Sequence, residues 1–304
     1  MTQETNVLPQ APSSLGFPER FYLWLNQFFP RPPHPFDQLA GEKLNYSQFE
    51  YDSAPQVFAL YQGLIEPDFY LNQEIIDLAC GGGGKTIYLL EKGAKSVVGI
   101  DKMPIFIAQA EEFAASKGLR AKSSFLVADS ASLPFPDASF DLVILNDAME
   151  HVDDPQKTLV EAARVLRPQG RIMINFEPYY HPRGGHVSDV VAIPWEHVFF
   201  SEKSRIKAYK HLVNKFHDAA ERIAFRIGQR DGKEAFTYVN HLTISRFKQY
   251  FQQLSEQLEL RHYRLLPFQK PILRQLIHLP LLQEFFTKNL VCILQRRPNL
   301  KSLF

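Results

Sequence analysis

A run of four consecutive glycines at residues 81–84 constrains the fold of this chain more than any other feature. The run follows residues 75–78, whose apolar and β-branched side chains predict a buried strand, and it precedes the helix-like residues 85–92. Glycine adopts positive φ and lets backbone N–H groups approach a ligand closely, while a helix N-terminus favours an anionic group. The sequence therefore predicts a strand, a ligand-binding loop and a helix in succession.

Two nucleotide-binding patterns can be tested directly on this loop. The dinucleotide pattern G-x-G-x-x-G fails in both registers, because Thr86 or Ile87 stands at the third glycine. The P-loop pattern G-x-x-x-x-G-K-S/T matches residues 79–86 except for Ala79. Asp147 could serve as the magnesium-associated acid of such a nucleotidase. A P-loop nucleotidase is therefore one candidate function.

Acidic residues follow the ends of three successive predicted strands. Asp77 lies next to the last residue of the first strand, Asp101 follows residues 96–100, and Asp129 follows residues 124–128. Because ligands of a parallel sheet bind at the carboxyl ends of its strands, these acids are expected at one binding site. An acid after the second strand is suited to accept two hydrogen bonds from a ribose diol. The spacing therefore indicates an adenosine-type ligand.

Several segments resemble the motifs of class I S-adenosylmethionine-dependent methyltransferases. Asp77-x-Ala79-x-Gly81-x-Gly83 resembles their glycine-rich first motif, with Ala79 at the first glycine position. Residues 129–141 resemble the family's D-x-x-x-L-P-F-P-D-x-S-F-D segment, and residues 165–171 resemble its L-R-P-G-G-R turn into the fifth strand. These ordered matches outweigh the single P-loop match.

The resemblance implies S-adenosylmethionine as the cofactor and assigns roles to residues of the loop and strand ends. Gly81 and Gly83 would hold the methionine end, Asp101 the ribose, and Asp129 with Ser130 the adenine. Ala79 predicts a slightly less open loop. The cofactor-binding residues implied in this way are Asp77, Ala79, Gly81, Gly83, Asp101, Lys102, Asp129, Ser130 and Asn146.

The alternation of strand and helix patterns predicts an α/β fold. We expect a Rossmann-like, doubly wound, seven-stranded and mostly parallel sheet, in which the resemblance implies that the last two strands form an antiparallel hairpin. A helical N-terminal extension and a cap insertion after strand 5 complete the prediction. The expected parts are residues 1–70 as the extension with cofactor-covering helices, 71–177 as the cofactor-binding core, 178–242 as the acceptor-binding cap, and 243–304 as the remainder of the core sheet.

Local patterns predict further elements outside the core. Tyr46, Phe49 and Tyr51 lie close together in the sequence and are candidates either for a lid over the cofactor or for core packing. The expected helices are residues 17–29, 56–65, 202–227 and 245–258, and the expected final strands are residues 259–266 and 289–296.

The acceptor and the catalytic base are expected in the cap, which is rich in histidines and aromatic residues. His186 follows two glycines just beyond strand 5 and is our first candidate for a base, with His197 and His151 as further candidates. A hydrogen-bonded structural role is the alternative for each histidine. The expected reaction is methylation of a small, partly apolar metabolite at a hydroxyl oxygen.

The fourth predicted strand, residues 142–145, is followed within one expected helical turn by Asp147, Glu150 and His151. They resemble the E-x-x-E-H metal motif of some O-methyltransferases, in which a divalent ion could lower the pKa of an acceptor hydroxyl. We favour an interpretation without a metal, because E-H-V-x-D-P also occurs in members of the family that use none.

The overall composition restricts partners and compartment. A net charge of +1 and a pI near 7.8 show no electrostatic footprint for nucleic acid. Two cysteines indicate a reducing compartment without disulfides, and no apolar run is long enough for a membrane span. We expect a cytoplasmic protein that acts on a small molecule, and the oligomeric state stays open. A non-catalytic cofactor-binding protein is a second alternative to the methyltransferase, beside the P-loop nucleotidase.

Overall fold

The computed structural model describes residues 15–31, 46–268 and 271–298. Two compact units divide the chain. The first, called here the cap unit, comprises residues 15–31 and Pro182–Val239, and the second, the sheet unit, comprises the other described residues. The predicted extension at residues 1–70 is therefore split, since residues 15–31 belong to the cap unit and residues 46–70 to the sheet unit.

The sheet unit is built on a seven-stranded sheet in which the neighbouring strands follow the order β3-β2-β1-β4-β5-β9-β8. The first five strands of this order are parallel, and β9 runs antiparallel to both of its neighbours. This topology confirms the expected fold class. The seven strands are β1 Glu74–Leu78, β2 Ser96–Asp101, β3 Ser123–Val127, β4 Phe140–Asn146, β5 Leu166–Phe176, β8 Leu258–Pro267 and β9 Thr287–Arg296.

Helices cover both faces of this sheet, so its central strands are apolar on both sides. Ile76 belongs to one buried cluster and its neighbour Ile75 to the other, as expected for side chains that alternate along a strand. The helices of the sheet unit are α2 Tyr46–Phe58, α3 Gly84–Glu91, α4 Pro104–Ser116, α5 Pro155–Val165, α9 Ile244–Gln253, α10 Pro271–Leu276 and α11 Gln283–Phe286.

Helix α2 begins earlier than the sequence predicted. It contains the aromatic residues of the proposed lid, and Pro55 lies inside it. Tyr46 stacks on Phe106 with ring centroids 5.4 Å apart, and Tyr51 contacts the rings of Tyr88 and Phe113. These three aromatic contacts are packing between α2 and the helices beside it.

The cap unit combines five helical and hairpin elements with α1 Phe17–Asn26. The predicted single helix at residues 202–227 is wrong, because residues 214–218 separate two helices. Asp231 and Gly232 both have positive φ and form a two-residue turn, as is usual in a tight hairpin. The remaining elements of this unit are α6 Glu196–Phe199, α7 Glu202–Val213, α8 Ala219–Arg226, β6 Ile227–Arg230 and β7 Lys233–Phe236.

Buried ion pairs accompany the apolar core of the cap unit. Arg205 donates from two nitrogens to the carboxylate of Glu196, and the hydroxyl of Tyr22 donates to the same carboxylate at 3.1 Å. A Cβ atom at Gly185 would collide with Glu196, which explains the glycine there.

No helix in the described part of the chain is long and apolar enough to cross a bilayer.

Candidate functional site

The loop between β1 and α3 has the backbone conformation that its glycines indicate. Gly81 and Gly83 have φ values of +56° and +74°, and a Cβ atom at Gly83 would lie 2.6 Å from the Cβ atom of Ala110. Ala79 also has positive φ, at +56°. The left-handed region costs a residue other than glycine about 1–2 kcal/mol. Ala79 therefore strains the loop at the position where the resembled motif has glycine.

Two hydrogen bonds connect the start of α3 to the ends of β1 and β4. The Thr86 hydroxyl donates to Asp77 Oδ2 at 2.6 Å, and Lys85 Nζ donates to the carbonyl oxygen of Asn146 at 3.3 Å. A P-loop nucleotidase would use this lysine and this threonine for phosphate and magnesium. Because both side chains bind strand ends instead, the geometry gives the nucleotidase interpretation no support.

Asp101 connects the end of β2 to the glycine loop. Its Oδ2 accepts a hydrogen bond from the Gly81 N–H at 3.1 Å, and its Oδ1 accepts one from the Met103 N–H at 2.8 Å. Burial raises the pKa of Asp101, whereas these backbone hydrogen bonds oppose that rise. Each carboxylate oxygen keeps a further lone pair, so the group can still accept a hydrogen bond from a ligand.

The other predicted cofactor residues differ in how their side chains are used. Lys102 is exposed and forms an ion pair with Asp153 at 2.6 Å. Asp129 Oδ1 accepts a hydrogen bond from the Ala131 N–H at 2.8 Å, within its own turn. Ser130 is buried, with its hydroxyl 3.0 Å from that of Thr158 in α5. Of these three side chains, only Ser130 lies within hydrogen-bond distance of a residue in a helix.

A buried polar network lies where β4 and β5 end. The hydroxyl of Tyr61 is 2.8 Å from Asn146 Oδ1 and 3.0 Å from Asn175 Oδ1. Asn175 Nδ2 in turn donates to Asp147 Oδ1 at 2.5 Å. Among the described residues, Asn146 Nδ2 is buried and has no hydrogen-bond partner. A buried donor left unpaired costs about 1–3 kcal/mol, so a ligand that accepts from Nδ2 would remove this penalty.

Sequence analysis missed Tyr61, Asn175 and Lys85 as parts of this site. Asn175 could have been noticed as the polar residue in the apolar run of β5. Tyr61 gave no comparable signal, because its partners lie 85 and 114 residues away along the chain.

Glu50 is a further residue that sequence analysis missed. Helix α2 carries it onto the glycine loop, where its Oε2 accepts a hydrogen bond from the Gly84 N–H at 3.3 Å. Only 4% of the residue is exposed, and burial raises the pKa of its carboxyl group to about 8. A Cβ atom at Gly81 would lie 2.5 Å from Glu50 Oε1.

Buried carboxyl groups dominate the electrostatics around the loop. Burial raises the pKa of Asp77 to about 6 and raises that of Glu150 well above its usual value. Burial alone would lower the pKa of Lys85, but neighbouring carboxylates, Asp147 and Glu50 foremost, raise it overall. A cation bound among these carboxyl groups would favour their ionised forms.

The three predicted metal ligands are placed differently from the expected helical turn. Residues 147–153 form turns, and α5 begins only at Pro155. Ligand atoms of Glu150 and His151 lie within 4.8 Å of each other. Asp147 is instead engaged by Asn175 and lies 3.9 Å from Lys85 Nζ. The interpretation without a metal, which we favour from the sequence, stays a prediction.

The candidate bases lie in different surroundings. His186 is half-buried in the cap unit, with φ of +49° and its ring centroid 6.2 Å from that of Tyr238. The side chain of His197 is fully buried, with Nδ1 4.0 Å from Glu196 Oε1. His151 is half-buried in the turn after β4, in the sheet unit. Complete burial beside a salt-bridged glutamate makes His197 the least accessible of the three.

A cavity of about 510 Å³ opens at the opposite edge of the sheet, where β4 begins. Its lining includes Phe69, Asp141, Arg167 and Arg171. Ligands of parallel sheets bind at the carboxyl ends of the strands, so we place the candidate site at the glycine loop and not in this cavity.

The sequence of the core is similar to known proteins over about a third of the chain. Residues 76–174 match the family described as Methyltransferase domain. Over 102 residues, 34% of this chain, the sequence is 39% identical to tocopherol O-methyltransferase of Arabidopsis thaliana. It is also 39% identical to demethylmenaquinone methyltransferase of Thermus thermophilus over 103 residues, again 34% of the chain. Identity to 27-O-demethylrifamycin SV methyltransferase of Amycolatopsis mediterranei is 30% over 144 residues, or 45% of the chain.

The matched stretches span only part of these relatives. They cover 29% of the tocopherol methyltransferase, 46% of the demethylmenaquinone methyltransferase and 52% of the rifamycin methyltransferase.

Solved structures show a similar fold at low sequence identity. A protein described as an S-adenosylmethionine-dependent methyltransferase from Listeria monocytogenes has a TM-score of 0.50 at 17% identity, with 81% of this chain and 98% of that chain covered. The [4+2]-cyclase SpnF has a TM-score of 0.50 at 14% identity, with 95% and 98% covered.

Proposed function

We propose that this chain, whose residues 76–174 match the family described as Methyltransferase domain, is a class I S-adenosylmethionine-dependent methyltransferase that transfers the cofactor's methyl group to a small, partly apolar acceptor. The observation that carries the proposal is the placement of Asp101. This residue ends β2, accepts a hydrogen bond from the Gly81 N–H of the glycine loop, and so joins the two parts of the chain that the family uses for this cofactor. The match of residues 76–174 to the family supports the same conclusion.

The residues at the loop fit this cofactor in two respects. Asn146 Nδ2 is a buried donor without a partner among the described residues, and the ligand could accept from it. Burial also raises the pKa of Glu50, Asp77 and Asp101, so these groups would gain from a positively charged ligand. S-adenosylmethionine carries a sulfonium and an α-ammonium group, and both are positively charged.

The bound cofactor would supply a methyl group that is activated by the positive charge on sulfur. The chain's own residues would mainly position the reactants and exclude water. Gly81 and Gly83 would hold the methionine end through backbone contacts, Asp101 would accept hydrogen bonds from the ribose, and Asp129 would face the adenine. The proposed base, His186, would take the proton from the acceptor hydroxyl.

Oxygen is our proposed methyl acceptor, which the names of two relatives support, since one is an O-methyltransferase and another acts on a 27-O-demethyl compound. Fold alone does not establish the reaction, because SpnF shares this fold and is described as a cyclase.

The proposed location is the cytoplasm. Cys80 and Cys292 are buried and form no disulfide, which is compatible with a reducing compartment.

The first experiment compares thermal unfolding of the purified protein alone and with S-adenosylmethionine, S-adenosylhomocysteine or magnesium-ATP. A ligand that binds only the folded state raises the unfolding midpoint. We expect the first two compounds to raise it and magnesium-ATP to leave it unchanged. Stabilisation by magnesium-ATP alone would contradict the proposed function.

The second experiment measures transfer of a labelled methyl group to a panel of small phenols, alcohols and amines. We expect transfer to an oxygen. If the cofactor binds but its methyl group is transferred to none of these compounds, a non-catalytic role would be favoured.

Asp101→Asn should weaken cofactor binding by about 10- to 100-fold, as for the loss of a hydrogen bond to a charged group. His186→Ala should lower turnover and leave cofactor affinity unchanged, and an unchanged turnover would exclude His186 as the base.

A further inference from the structure

We propose that Glu50 is a cofactor-positioning residue, whose carboxylate binds the positively charged methionine end of S-adenosylmethionine at the glycine loop. This inference rests on the proposed function, and it adds a residue outside the matched domain at residues 76–174. Helix α2 would then take part in cofactor binding through a charged side chain.

The position of Glu50 is set by close packing between α2 and the loop. A Cβ atom at Gly84 would lie 2.5 Å from the Tyr51 nitrogen and 2.8 Å from the Glu50 Cβ atom, and one at Gly82 would lie 2.8 Å from the Ser47 hydroxyl. The contacts with Ser47, Glu50 and Tyr51, which span little more than one turn of α2, therefore leave no room for side chains on the loop. The Glu50 carboxyl group is held against the segment that the family uses to bind the methionine end.

A simple capping role for Glu50 explains the geometry less well. A carboxylate at a helix N-terminus normally gains from several N–H donors and from the helix dipole. Glu50 has a single long hydrogen bond, from the Gly84 N–H at 3.3 Å to Oε2. Among the described residues, no hydrogen bond reaches Oε1, which is the atom nearest to Gly81. One carboxylate oxygen is therefore available to a ligand at the loop.

The charges around Glu50 show why a cation would complete this site. Burial raises the pKa of Glu50 to about 8, Lys85 and the Gly84 N–H lower it, and Asp77 and Asp101 raise it. These groups come from the start of α3 and from the ends of β1 and β2, the elements against which Glu50 packs. Without ligand the carboxyl group is mostly protonated at pH 7, and a bound cation would favour its ionised form. Cofactor binding should then release a proton from Glu50.

Isothermal titration calorimetry at pH 7 in buffers with different ionisation enthalpies measures this proton directly. The wild-type protein should release roughly one proton for each S-adenosylmethionine bound, because the group is protonated before binding and ionised afterwards. Glu50→Gln keeps an oxygen for the Gly84 N–H but carries no charge. We expect this variant to lose the proton release and to bind about 10- to 100-fold more weakly.

Asp52→Asn is the matched control, because Asp52 is an exposed acid on the same helix that accepts a hydrogen bond from Gln48. This variant should retain both the proton release and the affinity of the wild type. Thermal unfolding without ligand shows whether Glu50→Gln folds, and its midpoint should equal or exceed that of the wild type, since the substitution removes a buried ionisable group.

The same titrations with S-adenosylhomocysteine distinguish the two cationic groups of the methionine end. Equal weakening for both ligands would assign the contact to the α-ammonium group, which both compounds carry, and weakening for S-adenosylmethionine alone would assign it to the sulfonium. If Glu50→Gln binds and releases protons like the wild type, the role of Glu50 is wrong while the proposed function stands. If the wild type binds neither compound, both proposals are wrong.

Discussion

The hydroxyl of Thr86 donates a 2.6 Å hydrogen bond to Oδ2 of Asp77, which joins the first turn of α3 to the end of β1. Both residues are buried, so the loss of this donor would leave a carboxyl oxygen without its partner. We expect Thr86→Val to lower the free energy of unfolding by about 1–3 kcal/mol, as measured in urea at pH 7. Thr86→Ser keeps the donor and serves as the control. Equal stability of the Val and Ser variants would contradict this prediction.

Asp77 should make stability depend on pH. Burial raises its pKa from 3.8 to about 6, although Thr86 and Lys85 act against this shift. An acid whose pKa is raised by folding stabilises the protein while it is protonated. This contribution is complete below pH 3.8 and is lost as the pH rises through about 6.

Asp77→Asn should abolish that loss and keep an oxygen for the Thr86 hydroxyl. The difference in unfolding free energy between this variant and the wild type should grow by at most about 1.4 kcal/mol per pH unit and level off above pH 6. Urea unfolding at closely spaced pH values measures the difference, and a constant difference across that range would show that the pKa of Asp77 is not raised.

Ala79→Gly should stabilise the loop, because Ala79 has a φ of +56°. Relief of about 1–2 kcal/mol of strain is partly offset by the greater entropy of glycine in the unfolded chain, which leaves a gain of up to about 1 kcal/mol. Ala138 has nearly the same φ, +57°, on an exposed turn, so Ala138→Gly is the matched control.

Both glycine variants should gain similar stability in urea, while only Ala79→Gly should change cofactor affinity in calorimetry. A decrease in stability at both positions would mean that the entropic cost of glycine exceeds the strain.

Arg205 and Glu196 form a buried ion pair in the cap unit, with side chains 5% and 4% exposed. Removing one partner of such a pair leaves an uncompensated charge and typically costs about 3–5 kcal/mol. We expect Arg205→Met to lower the free energy of unfolding by this amount. The double variant Arg205→Met, Glu196→Gln should recover most of the loss, and a double variant as unstable as Arg205→Met would contradict the electrostatic explanation.

The parts of the site that could be predicted are those encoded within short stretches of sequence. Asp101 and the glycines of the loop were predictable because each lies at a strand end whose apolar pattern is clear. Glu50 was not, because its role depends on the packing of α2 against a loop 34 residues away. Pro55 lies inside that helix although proline favours a first turn, so local propensity does not mark where α2 begins.

The cap unit shows a different limit of sequence analysis. The Asp231-Gly232 pair between two short segments is a usual hairpin signal and could have predicted β6 and β7, which follow the end of the predicted helix at residue 227. No comparable signal marks the interruption at residues 214–218, where the helical pattern of charged residues continues.

The pairing of β5 with β9 has a consequence for biosynthesis. Strand β5 ends at Phe176, but its antiparallel neighbour begins only at Thr287 and is translated after all other strands in the described part of the chain. Until then, the ribosome-bound chain presents the apolar edge of β5 without a partner, and such edges promote aggregation. We expect a chain that stops before Thr287 to accumulate in the insoluble fraction, so that the newly made protein depends on chaperones until its final hairpin has been translated.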